Sequence, residues 1–359
     1  MRVVALTSGR NVPSSRFRVR QYVAPLRELG IEVEEWRSPI EKYDPAPTAL
    51  LSKAARALKR RRAQAPSALL PRASRALKRV LRLPGVAASR FADVVWLERE
   101  LLPGRSSLEH WTGRPRLFDV DDALWLQGSS GFSERIVRAC AGVIAGNAFL
   151  AEHYREAGAR VWIVPTAVDT EVWTPRREVS GDTWTIGWIG TSSNLPYLLP
   201  LEGALAAFLE RHGDAQLLVV SDGTPDFTRL PADRWRFAKW SAHAEVGLVQ
   251  RMDVGLMPLP DTDWARGKCA AKMLLYMAAG IPVVVSPVGT NVEVLALGEV
   301  GLAARDPEQW LDALAALYLD RPRARRMGLL GRAVVEAEYS VRAVAPRLAA
   351  IFREVARGH

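Results

Sequence analysis

Cysteine is nearly absent from this chain, and acidic residues vanish from one long stretch of it. Cys140 and Cys269 are the only two cysteines among 359 residues, too few for a disulfide framework, so a reducing compartment is expected. No run approaches the ~20 apolar residues that a membrane-spanning helix needs. The expectation is a cytoplasmic protein, soluble or peripheral at the inner face of a membrane. MRVVALTSG is a short apolar run ending in a turn, with no longer hydrophobic stretch or cleavage site behind it. It reads as a first strand and not as a signal peptide.

Between Pro45 and Ala92 there is no Asp or Glu, while twelve lysines and arginines crowd the same stretch. Since the whole chain carries +10, everything outside that stretch sums to −2. The basicity is therefore local. Leu50, Leu51, Ala54, Ala55, Leu58 and later Leu77, Val80 and Leu81 recur at helical spacing, predicting two basic amphipathic helices broken near Pro66 and Pro71. Residues 50–82 then suit an anionic membrane surface, where each Lys or Arg near lipid contributes about 1 kcal/mol. The alternative is a solvated helical excursion over 45–92. No aromatic residue interleaves the charges from Thr48 to Ala88, so no nucleic-acid partner is expected.

What is present elsewhere is an alternation of strand and helix. Strands are predicted at Val3–Thr7, Ile31–Trp36, Val94–Glu98, Leu117–Val120, Ala141–Ala145 and Val161–Pro165. A helix from Val19 to Leu29 follows the first of them, ending at Gly30. A second series runs through Thr185–Ile189, Gln216–Val220, Trp235–Trp240, Met252–Met257 and Val283–Val285. Unbroken β-branched runs such as Val283-Val284-Val285 fit parallel strands covered on both faces, and the alternation reads as doubly wound sheets. At this length two domains are the first expectation.

The densest chemistry lies from Gly267 to Asn291. Ala270–Ala279 is rich in helix formers and stops at Gly280 with Pro282 beyond, a bounded helix. Lys268 and Lys272, four apart, are expected one above the other near its N-terminus, where the helix dipole already favours negative charge. They make either a phosphate clamp or a solvated pair. Gly190-Thr191-Ser192 follows a strand and precedes a helix near Leu198–Arg211, a phosphate nest in which backbone amides point at oxygen. In the first half, Ser14, Ser15, Arg16 and Arg18 lie in the loop after the first strand, where open α/β sheets bind ligands, or else are surface groups. Asp119, Asp121 and Asp122 either hold a cation, or line a loop where one raised pKa makes Asp121 or Asp122 a proton acceptor, or cap a helix. No metal is predicted.

The run KMLLYMAAGIPVVVSPVG, preceded by DVGLMPLPDTDWARGKC, resembles the donor-binding module of the family-4 retaining glycosyltransferases (glycosyl transferases group 1). MRVVALTSGRNVPSSRFRVRQY, VWIVPTAVDTEVW and IGWIGTSSNLPYL extend the resemblance over most of the chain in the family's order. It implies the GT-B architecture, α/β with two Rossmann-like doubly wound domains facing a central cleft. Residues 1–178 would be the acceptor-binding domain, 183–339 the nucleotide-sugar domain, and 340–359 a helix crossing back to the first. RREVSGD, Arg176 to Asp182, fits the linker between them.

The activity implied is transfer of a sugar, with retention, from a nucleoside-diphosphate sugar to an acceptor hydroxyl of a glycan, a lipid-linked or a small molecule, as in cell-surface polysaccharide, glycolipid or natural-product glycosylation. No cofactor beyond the nucleotide-sugar co-substrate is expected. Ser14, Ser15, Arg16 and Arg18 would meet the acceptor. Gly190, Thr191, Ser192, Trp240, Ser241, Lys268, Lys272, Leu275, Asn291 and Glu293 would meet the donor, Trp240 and Ser241 at the base unless the tryptophan only packs the core. Lys268, Lys272, Asp121 and Asp122 carry the catalytic expectation. Two departures stand out: the family's loop arginine and lysine are missing after Gly190, and its two glutamates fall here on Gly267 and Leu275. Asn291, Glu293, Asp261 and Asp263 are the candidate replacements for those glutamates. A nucleotide-sugar epimerase, or an inactive membrane-surface binding protein, are the alternatives.

Overall fold

The computed structural model describes residues 1–40, 69–175 and 183–358. The first predicted basic helix, with Leu50 to Leu58, and the linker Arg176 to Asp182 lie outside the described residues. The chain divides into two compact units, Met1–Val164 with Ala345–His359, and Pro165–Val344.

The first unit is built on β1 (Arg2–Thr7), β2 (Glu32–Arg37), β3 (Val94–Glu98), β4 (Arg116–Val120), β5 (Gly142–Ala145) and β6 (Val161–Ile163). These form one parallel sheet in the order β2-β1-β3-β4-β5-β6. The second carries β7 (Trp184–Ile189), β8 (Ala215–Ser221), β9 (Trp235–Lys239), β10 (Val254–Met257), β11 (Val283–Val285) and β12 (Gly301–Ala303), in the order β12-β11-β10-β7-β8-β9. The two doubly wound sheets expected from the alternation are thus present. Strand order reverses beside β1 and β3 in one sheet and beside β7 and β10 in the other, and ligands of open α/β sheets bind at the carboxyl ends of such strands.

Helices in chain order are α1 (Val23–Glu28), α2 (Leu69–Ala88), α3 (Phe132–Val137), α4 (Ala148–Glu156), α5 (Leu195–Leu198), α6 (Glu202–Arg211), α7 (Glu245–Val249), α8 (Asp263–Arg266), α9 (Ala271–Ala278), α10 (Thr290–Leu295), α11 (Pro307–Leu319), α12 (Arg321–Val334) and α13 (Val341–Arg357). The predicted first helix begins earlier than Val19, as a wide turn over Ser15–Val19. The break foreseen at Pro71 does not occur. α2 starts at Leu69, so Pro71 falls in the first turn, where a missing N–H costs no helical bond.

The central strands read as fully buried runs. Val94–Leu97 and Val283–Val285 are all 0% exposed, as expected where helices cover both faces. In the first unit Trp96 packs between Tyr22 and Phe352, the latter 5.0 Å away on α13. In the second, Trp188, Phe208 and Trp310 anchor the core between the sheet, α6 and α11. Each such side chain contributes about 1.5–3 kcal/mol of burial.

Candidate functional site

Two groups of polar side chains gather at strand ends, one in each unit. In the second unit the organiser is Tyr276 on α9. Its hydroxyl accepts from the Ile189 amide at 2.9 Å and donates to the Leu256 carbonyl at 3.2 Å. That ties α9 to the ends of β7 and β10. The ring fits because residue 255 is glycine: a Cβ there would lie 2.2 Å from the Tyr276 ring. One turn earlier, Lys272 extends over the end of β7. A Cβ on Gly190 would sit 2.6 Å from Lys272 Cε and 2.7 Å from the Trp188 ring, so only glycine admits the lysine. Its ammonium lies 5.4 Å from the centre of the Trp188 ring.

Lys268 does not share a helix face with Lys272, as the four-residue spacing suggested. α8 ends at Arg266, and α9 starts only after Ala270, whose φ of 51° breaks the helical path. Positive φ costs a non-glycine residue energy and marks a backbone held by its surroundings. The Lys268 ammonium lies 5.2 Å from the Trp264 ring and 6.0 Å from Tyr197 on α5. The lysines therefore flank the Gly190–Tyr197 segment from two directions. Cation–π contact over the apolar rings holds both ammoniums without a covalent constraint.

The amides expected to face a phosphate are otherwise engaged. Gly190 N–H continues the β8 ladder to the Val220 carbonyl at 3.0 Å. Ser192 N–H and hydroxyl both donate to Asp222, at 2.6 and 3.2 Å. A carboxylate thus already takes both Ser192 donors, and positive charge at this strand end comes from the lysines. Thr191 Oγ1 shares a hydrogen with Ser193 Oγ and accepts from Asn194. Asp222 was not anticipated; its signal was its position immediately after a strand.

Other expected donor residues have structural partners. Asn291 is 1% exposed and donates to the Ser286 carbonyl at 2.9 Å, closing the turn before α10. Leu275 is buried on α9, whereas Glu293 is exposed. Trp240 is half-buried, with its indole N–H donating to Glu245 at 2.8 Å, and Ser241 is exposed, its hydroxyl accepting from the Ala244 amide in the turn before α7. Asp261 and Asp263 pair with Arg266 at 2.9 and 3.3 Å.

In the first unit, Arg18 lies inside the fold and not on its surface. It is 2% exposed, its Nε lies 2.7 Å from Asp119, and its Nη1 donates to the Val164 carbonyl. Asp119 is part of β4 and not of the following loop, and also accepts from the Trp96 indole at 3.0 Å. Ser15 is likewise internal: its hydroxyl donates to Glu98 at 2.8 Å and accepts from the Ser8 and Gly9 amides. Ser14 is buried, and Arg16 is half-buried over the Phe17 ring.

Asp121 and Asp122 lie just past the end of β4, beside Arg99, which the sequence reading did not single out. Arg99 Nη1 stands 2.9 Å from Asp122 and 3.7 Å from Asp121. Its φ is 62°, one of two positive values at non-glycine residues in the described chain. Burial, then the charge of Asp122, pushes the Asp121 carboxyl up to about 6, with Arg99 opposing. An acid tuned to that range can exchange protons near neutrality. Among the described residues no cluster of His, Cys, Asp and Glu could hold a metal ion.

Residues 185–320 match the model of the family described as Glycosyl transferases group 1, so the second unit carries a glycosyltransferase domain. No curated protein matches the chain by sequence. Among solved structures it is similar to a sucrose-phosphate synthase from Thermosynechococcus elongatus, with TM-score 0.71 and 15% identity over 100% of both chains. It is also similar to HepE of Anabaena in complex with UDP-glucose, with TM-score 0.67 and 15% identity over 99% of this chain and 100% of that one. A glycosyltransferase from Rickettsia africae aligns with TM-score 0.64 and 12% identity over 99% of each chain. At these identities the likeness shows the fold, which is GT-B.

Proposed function

We propose that the chain is a retaining glycosyltransferase that moves a sugar from a nucleoside-diphosphate sugar to an acceptor hydroxyl. The observation that carries this reading is Lys272 laid across Gly190 at the end of β7, with Lys268 flanking the same segment. When the glycosidic bond to the diphosphate breaks, negative charge grows on the leaving phosphate. Two ammoniums already placed at a strand end stabilise that charge without reorganising at the moment of reaction. They also stand in for the two cations that the Gly190 loop lacks. Metal plays no part in this reading. Retention follows from the resemblance to family 4, and UDP is the first nucleotide to try, because the similar Anabaena protein is found with UDP and UDP-glucose.

Asp121 is the proposed base for the acceptor hydroxyl, held beside Asp122 and Arg99. Leu77, Val80 and Leu83 are exposed on α2 at one-turn spacing, beside Lys78 and Arg79. That mixed face supports the proposal that the acceptor is met at an anionic membrane surface.

A thermal-shift series with UDP, GDP, ADP and dTDP identifies the nucleotide, since a ligand of the folded state raises the unfolding midpoint. Against the best of them, Lys272→Ala is expected to weaken binding about 10- to 150-fold, the equivalent of one charge-assisted bond of roughly 1.5–3 kcal/mol. The ligand-free midpoint should stay within a degree or two. Unaltered nucleotide affinity in Lys272→Ala would remove the clamp and the reading built on it.

A further inference from the structure

Asp222 holds two donors beside the lysines of the second unit and has no task in the transfer proposed above. β7 and β8 pair in parallel register, Ile189 opposite Val220, so the chain leaves both strands side by side, as Gly190–Asn194 and as Asp222-Gly223. The two segments touch. A Cβ on Gly223 would lie 2.9 Å from Ser192 Cβ, and that close approach sets the Asp222 carboxylate on Ser192. One carboxylate oxygen accepts from the Ser192 amide at 2.6 Å and the other from its hydroxyl at 3.2 Å. The Ser221 hydroxyl stands 3.4 Å from the first of them.

An amide and hydroxyls just past a parallel strand are what a loop offers to phosphate oxygens. Here a carboxylate has them. Asp222 is exposed, so its side chain can turn to water without leaving a buried charge behind. Ser192 lies two residues beyond Gly190, over which Lys272 is laid, and Lys268 stands 6.0 Å from the ring of Tyr197 on the following helix. A diphosphate carries more negative charge than one carboxylate, and Coulomb attraction to the two ammoniums grows with that charge. The larger anion has the advantage. β7 is also one of the strands beside which the order reverses in this sheet.

We propose that Asp222 is a built-in substitute for the donor phosphate: it occupies the Ser192 donors in the ligand-free protein and is displaced when a diphosphate binds. The inference rests on the phosphate clamp of Lys268 and Lys272 and adds regulation to that site. With the carboxylate in place the Ser192 amide and hydroxyl stay satisfied while the site is empty, and an anion of low charge gains too little from the lysines to take them over.

The test is isothermal titration of the full chain with inorganic pyrophosphate at constant ionic strength, joined to amide hydrogen exchange at Ser192. Asp222→Ala should bind pyrophosphate about 10-fold more tightly than the parent, the scale of one charge-assisted hydrogen bond released from competition. Asp226→Ala removes an exposed acid four residues on and should change affinity less than about 2-fold, as screened surface charges do. The Ser192 amide should exchange slowly in the parent, fast in Asp222→Ala, and slowly again in that variant once pyrophosphate saturates it. Tightening of equal size in Asp226→Ala would reflect net charge alone and overturn the proposal. So would an Asp222→Ala chain that binds no tighter or shows no saturable binding, or a Ser192 amide that pyrophosphate leaves unprotected. Adding Lys272→Ala to Asp222→Ala separates this inference from the donor reading: affinity that then drops upholds both, whereas affinity that stays high removes the clamp and leaves Asp222 as the occupant.

Discussion

Asp121 shows how one residue acquires a role from its neighbours. Its carboxyl titrates near 6, well above the ordinary value near 3.9, because burial and Asp122 both disfavour the charge. The folded chain therefore binds this proton more tightly than the unfolded chain does. The stability it contributes is complete below about pH 4 and is lost as pH rises through about 6. Asp121→Asn should accordingly unfold at a higher temperature than the parent at pH 7–8 and at nearly the same temperature at pH 4. Transfer should climb between pH 5 and 7 in the parent and be lost in the variant; a flat profile over that range would exclude Asp121 as the base. The aspartate cluster was legible as a sequence of acids after a strand. Which acid faces Arg99 was not, because Asp119 is buried against Arg18, 101 positions away, and Arg99 meets Asp121 and Asp122 only once β3 and β4 are paired.

At the scale of the element, α9 is the part that positions the lysines. Its composition and its stop at Gly280 marked it as a helix, and the structure places it at Ala271–Ala278. The start expected at Ala270 is within one residue of the observed one; what failed is the stacking of Lys268 on Lys272, since alanine in the left-handed region at position 270 has no sequence signature. The register of the helix depends on the Tyr276 hydroxyl. Tyr276→Phe leaves the buried Ile189 amide and Leu256 carbonyl without that partner, at a cost of about 1–3 kcal/mol. For a unit of this size the unfolding midpoint should fall by roughly 2–4 °C per kcal/mol. Nucleotide affinity should fall with it as Lys272 loses its bearing on Gly190. An unchanged midpoint would show that the hydroxyl does not bridge the two strands.

For the whole molecule, the informative fact is that Ala345–His359 belongs to the unit of the first 164 residues. Leu348, Ile351, Phe352 and Val355 are all buried, and Trp162 donates to Glu354 at 3.2 Å. Four such side chains at about 1.5–3 kcal/mol each approach the entire stability of a domain, about 5–15 kcal/mol. A chain ending at Val344 should lose the cooperative unfolding of the first unit, read by calorimetry, while the second still melts near its own midpoint; two intact transitions would contradict this. The sequence alone determined the alternation of strand and helix, both parallel sheets, the local basic stretch and the two lysines, because periodicity and composition are properties of neighbours along the chain. Tertiary structure decided that Arg18 is buried against Asp119 and that the Gly190 and Ser192 amides are engaged. Those outcomes depend on groups tens to hundreds of positions apart, whose distances and exposure to water are set only when the sheets assemble.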